Sequence, residues 1–292
     1  MSYSLSLYGN DPDHILRLAS AADRLGFDRI WLGEHVVAPL GFETEHPYGE
    51  AGRPRPVTAE SRLYDVWLLA GMILGATTEL EVATGVLQLP LRHPLLTARA
   101  VASAWELSGG RFMLGVGVGW MAEEYAALDV PFSERGRRYG EILDILQSLL
   151  AGGPVEHYGD HYEFDRLTIT DKPLPVPLVF GGTSAVAYRR AAVRGDGWYN
   201  PGTSSLADCV VSRASIEAIR REHGLVDPFT YHVRLKGGAQ PSDLARYHDA
   251  GFESLVIPWQ ALWSATDIDI TLEAKLYALE RTAAMIGLVP RG

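Results

Sequence analysis

Apolar and polar residues follow two periods along this chain of 292 residues, and the two kinds of segment alternate in a regular order. Short apolar runs and strict alternation predict strands, whereas apolar spacings of three and four predict helices. The stretch 77–120 shows the unit most clearly. Alternating residues predict a strand over 80–84, Pro94 begins a helix, and the apolar run 112–118 predicts a second strand that is buried on both faces.

The pattern as a whole predicts eight strands, each followed by a helix or by a connection that contains one. The predicted strands cover residues 4–7, 29–32, 80–84, 112–118, 176–180, 197–200, 230–235 and 254–257. Strands that alternate with helices at this spacing favour parallel pairing with right-handed crossovers. Eight such units predict an α/β fold, a single (β/α)8 TIM barrel domain over residues 1–292. An open doubly wound sheet is the alternative, but no G-x-G-x-x-G motif follows the first strand.

Several segments fall outside this alternation of strand and helix. Residues 152–169 predict a small insertion hairpin, with His157 and His161 at its surface, because no third ligand follows them to make a zinc site. Residues 38–60 predict a long polar loop. A helix is predicted over 61–74, and Ser133 is predicted to cap the helix that follows Trp120.

Composition narrows the class of protein. With 47% hydrophobic residues the chain can bury a large core, yet no segment approaches the roughly 20 uninterrupted apolar residues of a membrane span. The chain opens without a basic and apolar signal segment, and its single cysteine, Cys209, is expected to be a buried apolar residue, so a cytoplasmic location is predicted. A formal charge of -10 argues against nucleic acid as a partner. It also means that an anionic cofactor must be held by local arginines and backbone amides.

Glycine-rich turns follow two of the predicted strands. The turn 181–184 lies between a strand and a helix, where small residues admit an anion and the helix dipole favours negative charge. We therefore predict a phosphate site there, with an ordinary strand-to-helix turn as the alternative. The arginines on the following helix are Arg189, Arg190 and Arg194. The other turn, G-V-G-V-G at 115–119, lacks the spacing of a dinucleotide loop, and its small residues fit either a flat ring or tight packing.

His35 ends the second predicted strand, next to Glu34, and is the candidate acid–base group. An imidazole has a pKa near neutrality and can donate or accept a proton in a cleft. A surface histidine is the alternative. A metal-dependent barrel hydrolase would need several His and Asp residues at strand ends, and His35 alone meets that condition, so no metal is predicted.

Two motifs give the chain a family resemblance. The segments ATGV-x-x-L-P-x-R-H-P at 83–94 and L-S-G-G-R-F-x-L-G-V-G-x-G-W at 107–120 resemble the bacterial luciferase-like flavin and deazaflavin enzymes, most closely their coenzyme F420-dependent branch. The resemblance extends over most of the chain. It implies a cis peptide between Gly85 and Val86 beneath the cofactor ring. The cofactor-binding residues that it implies are Thr84, Gly85, Val86, Gly117, Gly119, Trp120, Glu123, Gly181, Gly182 and Thr183.

The same resemblance carries the expected chemistry. It implies an oxidoreductase that transfers a hydride between coenzyme F420 and a small organic substrate, with His35 and Glu34 as catalytic residues, although F420-dependent relatives usually have Asp before the histidine. FMN in the same pocket would instead support a monooxygenase that works with a flavin reductase. A homodimer is expected in either case. A flavin-binding relative without activity is a further alternative that the sequence leaves open.

Overall fold

Eleven strands occur in the part of the chain that the structure describes. The structure is a computed structural model that describes residues 1–7, 10–41, 43–46, 57, 58, 61, 63–200, 202, 204–263 and 270–291. The strands are, in chain order, β1 (Ser2–Ser6), β2 (Arg29–Leu32), β3 (Glu81–Thr84), β4 (Leu87–Gln88), β5 (Phe112–Gly117), β6 (Val155–Tyr158), β7 (Glu163–Leu167), β8 (Leu178–Gly181), β9 (Gly197–Tyr199), β10 (Thr230–Arg234) and β11 (Ser254–Pro258).

Eight of these strands close into a parallel barrel. Their order around the ring is β3, β2, β1, β11, β10, β9, β8 and β5, and the ring closes because β3 also pairs with β5. The predicted (β/α)8 TIM barrel is therefore confirmed. The short strand β4 pairs with β5 outside the ring. The first strand begins two residues earlier than predicted, because Ser2 is already in register with Ser254 of β11.

Nine α helices occur among the described residues, and most of them connect one barrel strand to the next. They are α1 (Pro12–Leu25), α2 (Val66–Ala76), α3 (Pro94–Leu107), α4 (Ala122–Ala127), α5 (Arg135–Leu150), α6 (Ala185–Arg194), α7 (Leu206–Glu222), α8 (Pro241–Asp249) and α9 (Leu272–Met285). Over the described ranges, the helices are too short or too polar to cross a membrane.

Two of the predicted helix starts are wrong. In one the helix is capped by a later residue than predicted, and in the other the predicted cap does not form. The helix predicted over 61–74 begins only at Val66, because the Asp65 carboxylate accepts hydrogen bonds from the backbone N–H groups of Trp67 and Leu68, both at 3.0 Å. Ser133 is not a cap. It lies inside a single 3-10 turn, Phe132–Glu134, and α5 follows that turn directly without a capping side chain.

The predicted insertion hairpin is confirmed, but its two histidines are not surface residues. β6 and β7 pair in antiparallel fashion, and the tip of the hairpin folds against α5. There Glu141 lies 3.1 Å from Nε2 of His157 and 2.7 Å from Nδ1 of His161, and it also accepts backbone hydrogen bonds from His161 and Tyr162. The Glu141 carboxylate on α5 thus binds both imidazoles. The described residues include no group of three or more metal-ligating side chains placed to hold a metal ion.

The barrel lumen is filled by side chains in layers. At the amino-terminal end, His232 lies 2.8 Å from the Ser254 hydroxyl and 3.5 Å from Arg29. The next layer is apolar, and in it Trp31 stacks on Tyr199 with ring centroids 4.4 Å apart. A filled lumen gives a ligand access only at the ends of the barrel, and in this fold the carboxyl ends of the strands carry the functional loops.

Candidate functional site

The predicted site residues follow four neighbouring strands. The segments that contain them come directly after β2, β3, β5 and β8, and these strands are consecutive around the ring. Their carboxyl ends therefore lie side by side, and the folded chain brings together one half of the barrel mouth from residues that are far apart in sequence. The rest of the mouth is formed by the ends of β9, β10, β11 and β1.

The peptide between Gly85 and Val86 is cis, as the resemblance implied. The Val86 side chain lies between Gly117 and Gly181, and a Cβ at either glycine would stand within 3 Å of a Val86 methyl group. These two glycines thus give the Val86 side chain its space. Thr84 supports the turn from below, because its buried hydroxyl donates to the Gly115 carbonyl at 2.7 Å and accepts from the Gly115 N–H at 2.9 Å.

His35 is held by a carboxylate that the sequence did not single out. Nδ1 of His35 lies 3.0 Å from Oε2 of Glu124, and Glu124 is completely buried in α4. Burial opposes ionisation of Glu124, but hydrogen bonds from His35, Gln88 and the backbone of Val36 outweigh it and lower the pKa of this carboxyl. The site therefore contains an imidazole paired with a buried carboxylate. The one signal in the sequence that could have indicated a buried carboxylate here is that Glu124 directly precedes Tyr125, which is buried in the same short helix.

Glu34 has a different position from its neighbour. Its carboxylate forms an ion pair with Arg92 and accepts the backbone N–H of Gln88 at 2.8 Å, and only 2% of its side chain is exposed. Gln88 also donates through Nε2 to the Glu34 carbonyl at 3.2 Å and to Glu124 at 3.0 Å. Glu34 thus links the connection after β2 to the connection after β3 through its contacts with Gln88 and Arg92. A catalytic role for Glu34 stays a prediction.

Trp120 lies between two imidazoles. Its ring stands edge-on to that of His35, with centroids 5.9 Å apart, and edge-on to that of His46, with centroids 4.7 Å apart. Burial and the neighbouring His35 lower the pKa of His46. His46 belongs to the predicted long polar loop 38–60, of which residues 42, 47–56, 59 and 60 lie outside the described residues.

Glu123, a predicted cofactor ligand, contacts that loop. Its carboxylate accepts from the backbone N–H groups of Glu43 and Thr44, at 2.8 and 3.1 Å, and from the Thr44 hydroxyl at 2.8 Å. Slight burial raises the pKa of Glu123, but these hydrogen bonds dominate and lower it to about 2. The side chain thus anchors the segment that carries His46. A contact between Glu123 and the cofactor stays a prediction.

The turn after β8 has the features of an anion site. Gly182 has φ = +107°, a conformation that favours glycine, and its carbonyl accepts from the indole N–H of Trp198 at 2.8 Å. Ser184 caps α6 through the N–H of Ala187, as its position before the helix suggested. Thr183 lies between them, and the turn 181–184 thus joins the carboxyl end of β8 to the N-terminus of α6.

The arginines of α6 do not all lie near that turn. Arg194, at the far end of the helix, pairs with Asp144 at 2.6 Å and with Gln147, which removes it from the set that could meet a cofactor tail. Arg190 donates to the Gly136 carbonyl in the first turn of α5 at 3.1 Å and lies over the Tyr139 ring. Arg189 is exposed.

With this geometry in place, the family model described as luciferase-like monooxygenase matches residues 2–251 of the chain. The chain belongs to this family. The luciferase-like assignment covers the barrel from β1 to the end of α8, and thus includes all four segments of the site. Luciferase-like proteins are F420- or flavin-dependent oxidoreductases, so the prediction of an oxidoreductase of this class is confirmed at the family level.

Individual relatives agree with this membership. An uncharacterized protein of Mycobacterium tuberculosis is 29% identical over 97% of this chain and 98% of its own length. The FMNH(2)-dependent dimethylsulfone monooxygenase of Pseudomonas putida is 30% identical over 65% of this chain and 48% of its own length. The F420-dependent glucose-6-phosphate dehydrogenase of Nakamurella multipartita is 28% identical over 75% of this chain and 60% of its own length.

A solved structure gives the same fold. The crystal structure of the monooxygenase RslO1 of Streptomyces bottropensis superimposes with a TM-score of 0.77 over 98% of both chains at 15% identity. At that level of identity the similarity concerns the fold alone. The barrel fold is thus found both in the strand order of the chain and in this comparison.

Proposed function

We propose that this luciferase-like protein transfers a hydride between coenzyme F420 and a small organic substrate, at the barrel mouth formed by the ends of β2, β3, β5 and β8. The observation that carries the proposal is the pair of His35, which follows the carboxyl end of β2, and the buried Glu124. An imidazole that is fixed by a carboxylate at a strand end suits general acid–base chemistry.

The residues at the mouth fit a flat anionic cofactor. A tricyclic ring needs an apolar shelf with small residues beside it, which Val86, Gly117 and Trp120 offer, and a phosphate needs backbone N–H groups, which the turn 181–184 offers at the start of α6. Thr84 supports this shelf through its hydroxyl, which donates to the Gly115 carbonyl. Gly119 lies close to Gln88, and a Cβ at that position would overlap the Gln88 side chain. The chemistry that such a cofactor supplies when bound is hydride transfer.

The role of the protein's own groups follows from the hydrogen bonds of His35. Because Nδ1 faces an ionised carboxylate, the proton of the neutral imidazole resides on Nδ1, and Nε2 is the acceptor. During oxidation of a substrate, the proton that leaves together with the hydride passes to Nε2, and Glu124 stabilises the imidazolium that forms. During reduction the same atom returns the proton.

The alternative cofactor is FMN, and it has specific support. The dimethylsulfone monooxygenase relative uses FMNH(2), whereas the glucose-6-phosphate dehydrogenase relative uses F420, and the two are about equally similar to this chain. An FMN enzyme would react with oxygen and would need a flavin reductase as its partner. We favour F420 because Arg189 is exposed on the helix after the phosphate turn, where it can meet the acidic tail that FMN lacks, whereas Arg190 and Arg194 contact α5.

A homodimer is part of the proposal, and the outer face of α2 supports it. This helix contains no charged or polar side chain, although Leu68 and Met72 are 66% and 47% exposed and Gly71 and Gly75 are open to solvent. A helix that is apolar on all sides is usually buried. We propose that a second copy of the chain covers this face. A cytoplasmic location and a single domain over 1–292 stay predictions.

The test is a pair of titrations of the purified protein, one with F420 and one with FMN, followed by visible absorbance. Gly182→Asp should weaken binding of either cofactor, because a carboxylate would occupy the position of the phosphate. Gly182→Ala is the matched control, since it imposes the same backbone strain at positive φ without the charge. Equal affinity in the Asp and Ala variants would remove the phosphate from this turn. Binding of neither cofactor by the wild-type protein would end the proposal.

A further inference from the structure

Arg234 ends β10, and its Nε is a buried donor that finds no acceptor among the residues that the structure describes. In the described part of the chain, no carboxylate forms an ion pair with its guanidinium. Charged groups that are taken out of water are normally paired, because an unpaired buried donor costs about 1–3 kcal/mol and a charged one costs more. An unpaired buried donor of this kind points to a ligand that supplies the acceptor.

The guanidinium faces the lumen at the mouth of the barrel. His232, two residues earlier on the same strand, points into the lumen against Trp31, and strand geometry gives Arg234 the same direction one layer higher. Tyr199 and Ser6 lie beside it in the lumen. Burial raises the pKa of Tyr199, while the charge of Arg234 and a hydrogen bond with Ser6 lower it, which places the phenol close to the guanidinium.

The fold holds this arginine in position from two sides. The buried side chain of Asn200 bonds both backbone groups of Arg234, since Oδ1 accepts from its N–H at 2.5 Å and Nδ2 donates to its carbonyl at 3.1 Å. Gly202 then gives the guanidinium its space, because a Cβ at that position would overlap Nη1 of Arg234. The Arg234 side chain thus packs against the backbone of Gly202 instead of extending into solvent.

The position of Arg234 separates it from the cofactor shelf. β10 is four strands from β3 in both directions around the ring, so Arg234 stands across the mouth from Gly85 and Val86. It is two strands from β8, which is about 10 Å at the usual strand spacing, so it is not part of the turn 181–184.

We propose that Arg234 binds the oxyanion of the substrate, a carboxylate or a phosphate, and that the enzyme acts on small organic anions. Assigning this anion to a substrate rests on the proposed function, whereas binding of an oxyanion by Arg234 does not. A guanidinium offers two parallel N–H donors that match either group. On a chain of formal charge -10, one unpaired arginine at the mouth is also a local attraction for an anion that the rest of the surface repels.

The experiment observes the arginine directly. In protein labelled with 15N-arginine, the Nε–H resonance of Arg234, identified by its loss in Arg234→Met, should move saturably when inorganic phosphate or acetate is added. The Nε–H of Arg194, which already donates to Gln147 at 3.0 Å, is the internal control and should not move. A resonance of Arg234 that moves with neither anion would overturn the proposal. These titrations contain no cofactor, so they give their answer even if the protein binds neither F420 nor FMN.

Two variants sharpen the test. Gly202→Ala keeps the charge but displaces the guanidinium, so the response to phosphate should weaken by about tenfold or more, as expected for the loss of a charged hydrogen bond. Near-ultraviolet circular dichroism establishes that each variant is folded. The F420 affinity of Arg234→Met should stay within about twofold of wild type, since distant sites act independently. A tenfold loss of F420 affinity would assign the arginine to the cofactor and would overturn the assignment to substrate.

Discussion

Nδ1 of His35 lies 3.0 Å from Oε2 of Glu124, and both oxygens of that carboxylate are engaged. Oε2 also accepts from Nε2 of Gln88 at 3.0 Å, and Oε1 accepts from the Val36 N–H at 2.7 Å. The carboxylate cannot rotate without breaking several hydrogen bonds. It therefore fixes both the orientation of the imidazole and the nitrogen that carries its proton.

Glu124→Gln should slow proton transfer by about 10- to 100-fold, because an amide cannot stabilise the imidazolium as a carboxylate does. The rate of cofactor reduction in a single turnover measures this, with a small organic anion that the wild-type protein oxidises as substrate. The 15N shifts of His35 should also show that the proton no longer prefers Nδ1. Glu106→Gln, an exposed change on α3, is the control. Unchanged shifts together with an unchanged rate would make Glu124 a packing residue only.

Glu123→Ala should loosen the loop that carries His46 without unfolding the barrel. The N–H groups of Glu43 and Thr44 lose their acceptor, so their hydrogen exchange should accelerate, whereas exchange in β3 and β5 should not change. Peptide-resolved hydrogen exchange measures the difference. Glu163→Ala removes an exposed carboxylate from the hairpin and should leave the exchange of 43 and 44 unaltered. If exchange at these two amides is the same in all three proteins, Glu123 does not anchor the loop.

Glu141 should stabilise the hairpin in a pH-dependent way. Burial raises the pKa of Glu141, but hydrogen bonds from His161, His157 and the backbone lower it to about 2. Because the folded pKa is below the ordinary pKa of 4.5, this stabilisation is fully present above pH 4.5 and is lost as the pH falls toward 2. Glu141→Gln should therefore reduce the free energy of unfolding at pH 7, and the deficit should shrink at pH 3. Urea unfolding at both pH values measures it, with Glu156→Gln as the exposed control. A deficit independent of pH would contradict this account.

Much of the barrel could be predicted because its strands and helices are amphipathic or apolar in the expected periods. The two helix starts that were predicted wrongly involve Asp65 and Ser133. Where such a helix begins depends on which polar side chain accepts hydrogen bonds from the first backbone N–H groups, and the periodicity of the sequence does not contain that information. Which of Glu123 and Glu124 is buried could not be predicted for a related reason. Two adjacent carboxylates at the start of a six-residue helix point in different directions, and only the packing of Tyr125 decides which is buried.

The partners of single residues could not be predicted at all. Glu141 joins two histidines that look like a surface pair in the sequence, and Asn200 clamps an arginine that lies 34 positions away along the chain. Contacts of this kind depend on how consecutive strands, hairpins and helices pack against each other, and the periodicity of the sequence does not contain that information. The cis peptide of Gly85 and Val86 was expected because the family resemblance supplied it, and no local pattern of residues would have done so.

Met72→Glu should convert the protein to a monomer. A charge in the middle of the exposed apolar face of α2 would have to be desolvated in a dimer, and two copies would repel each other across a symmetric interface. Sedimentation velocity gives the mass directly. Val226→Glu, which changes an isolated apolar residue that is 93% exposed, is the control and should leave the association state unchanged. A wild-type protein that sediments as a monomer would contradict the proposed dimer.

The affinity for F420 should exceed that for FMN, and the difference should shrink as salt is added. The two cofactors share a tricyclic ring and one phosphate, so the turn 181–184 should accept either. Beyond the phosphate, F420 continues into a tail with several carboxylates, which a chain of charge -10 repels unless arginines meet it locally.

Arg189, which is exposed, is in a position to do so, whereas Arg190 donates to the Gly136 carbonyl and Arg194 pairs with Asp144. Because exposed charges are screened beyond about 10 Å at 0.1 M salt, the advantage of F420 should be large at low ionic strength and small at high ionic strength. Dissociation constants for both cofactors at two salt concentrations measure it. Arg189→Met should reduce the advantage of F420 at low salt, and Arg17→Met, an exposed change on α1, should not. Tighter binding of FMN at every salt concentration would instead place the protein in the oxygen-using branch, with a flavin reductase as its partner.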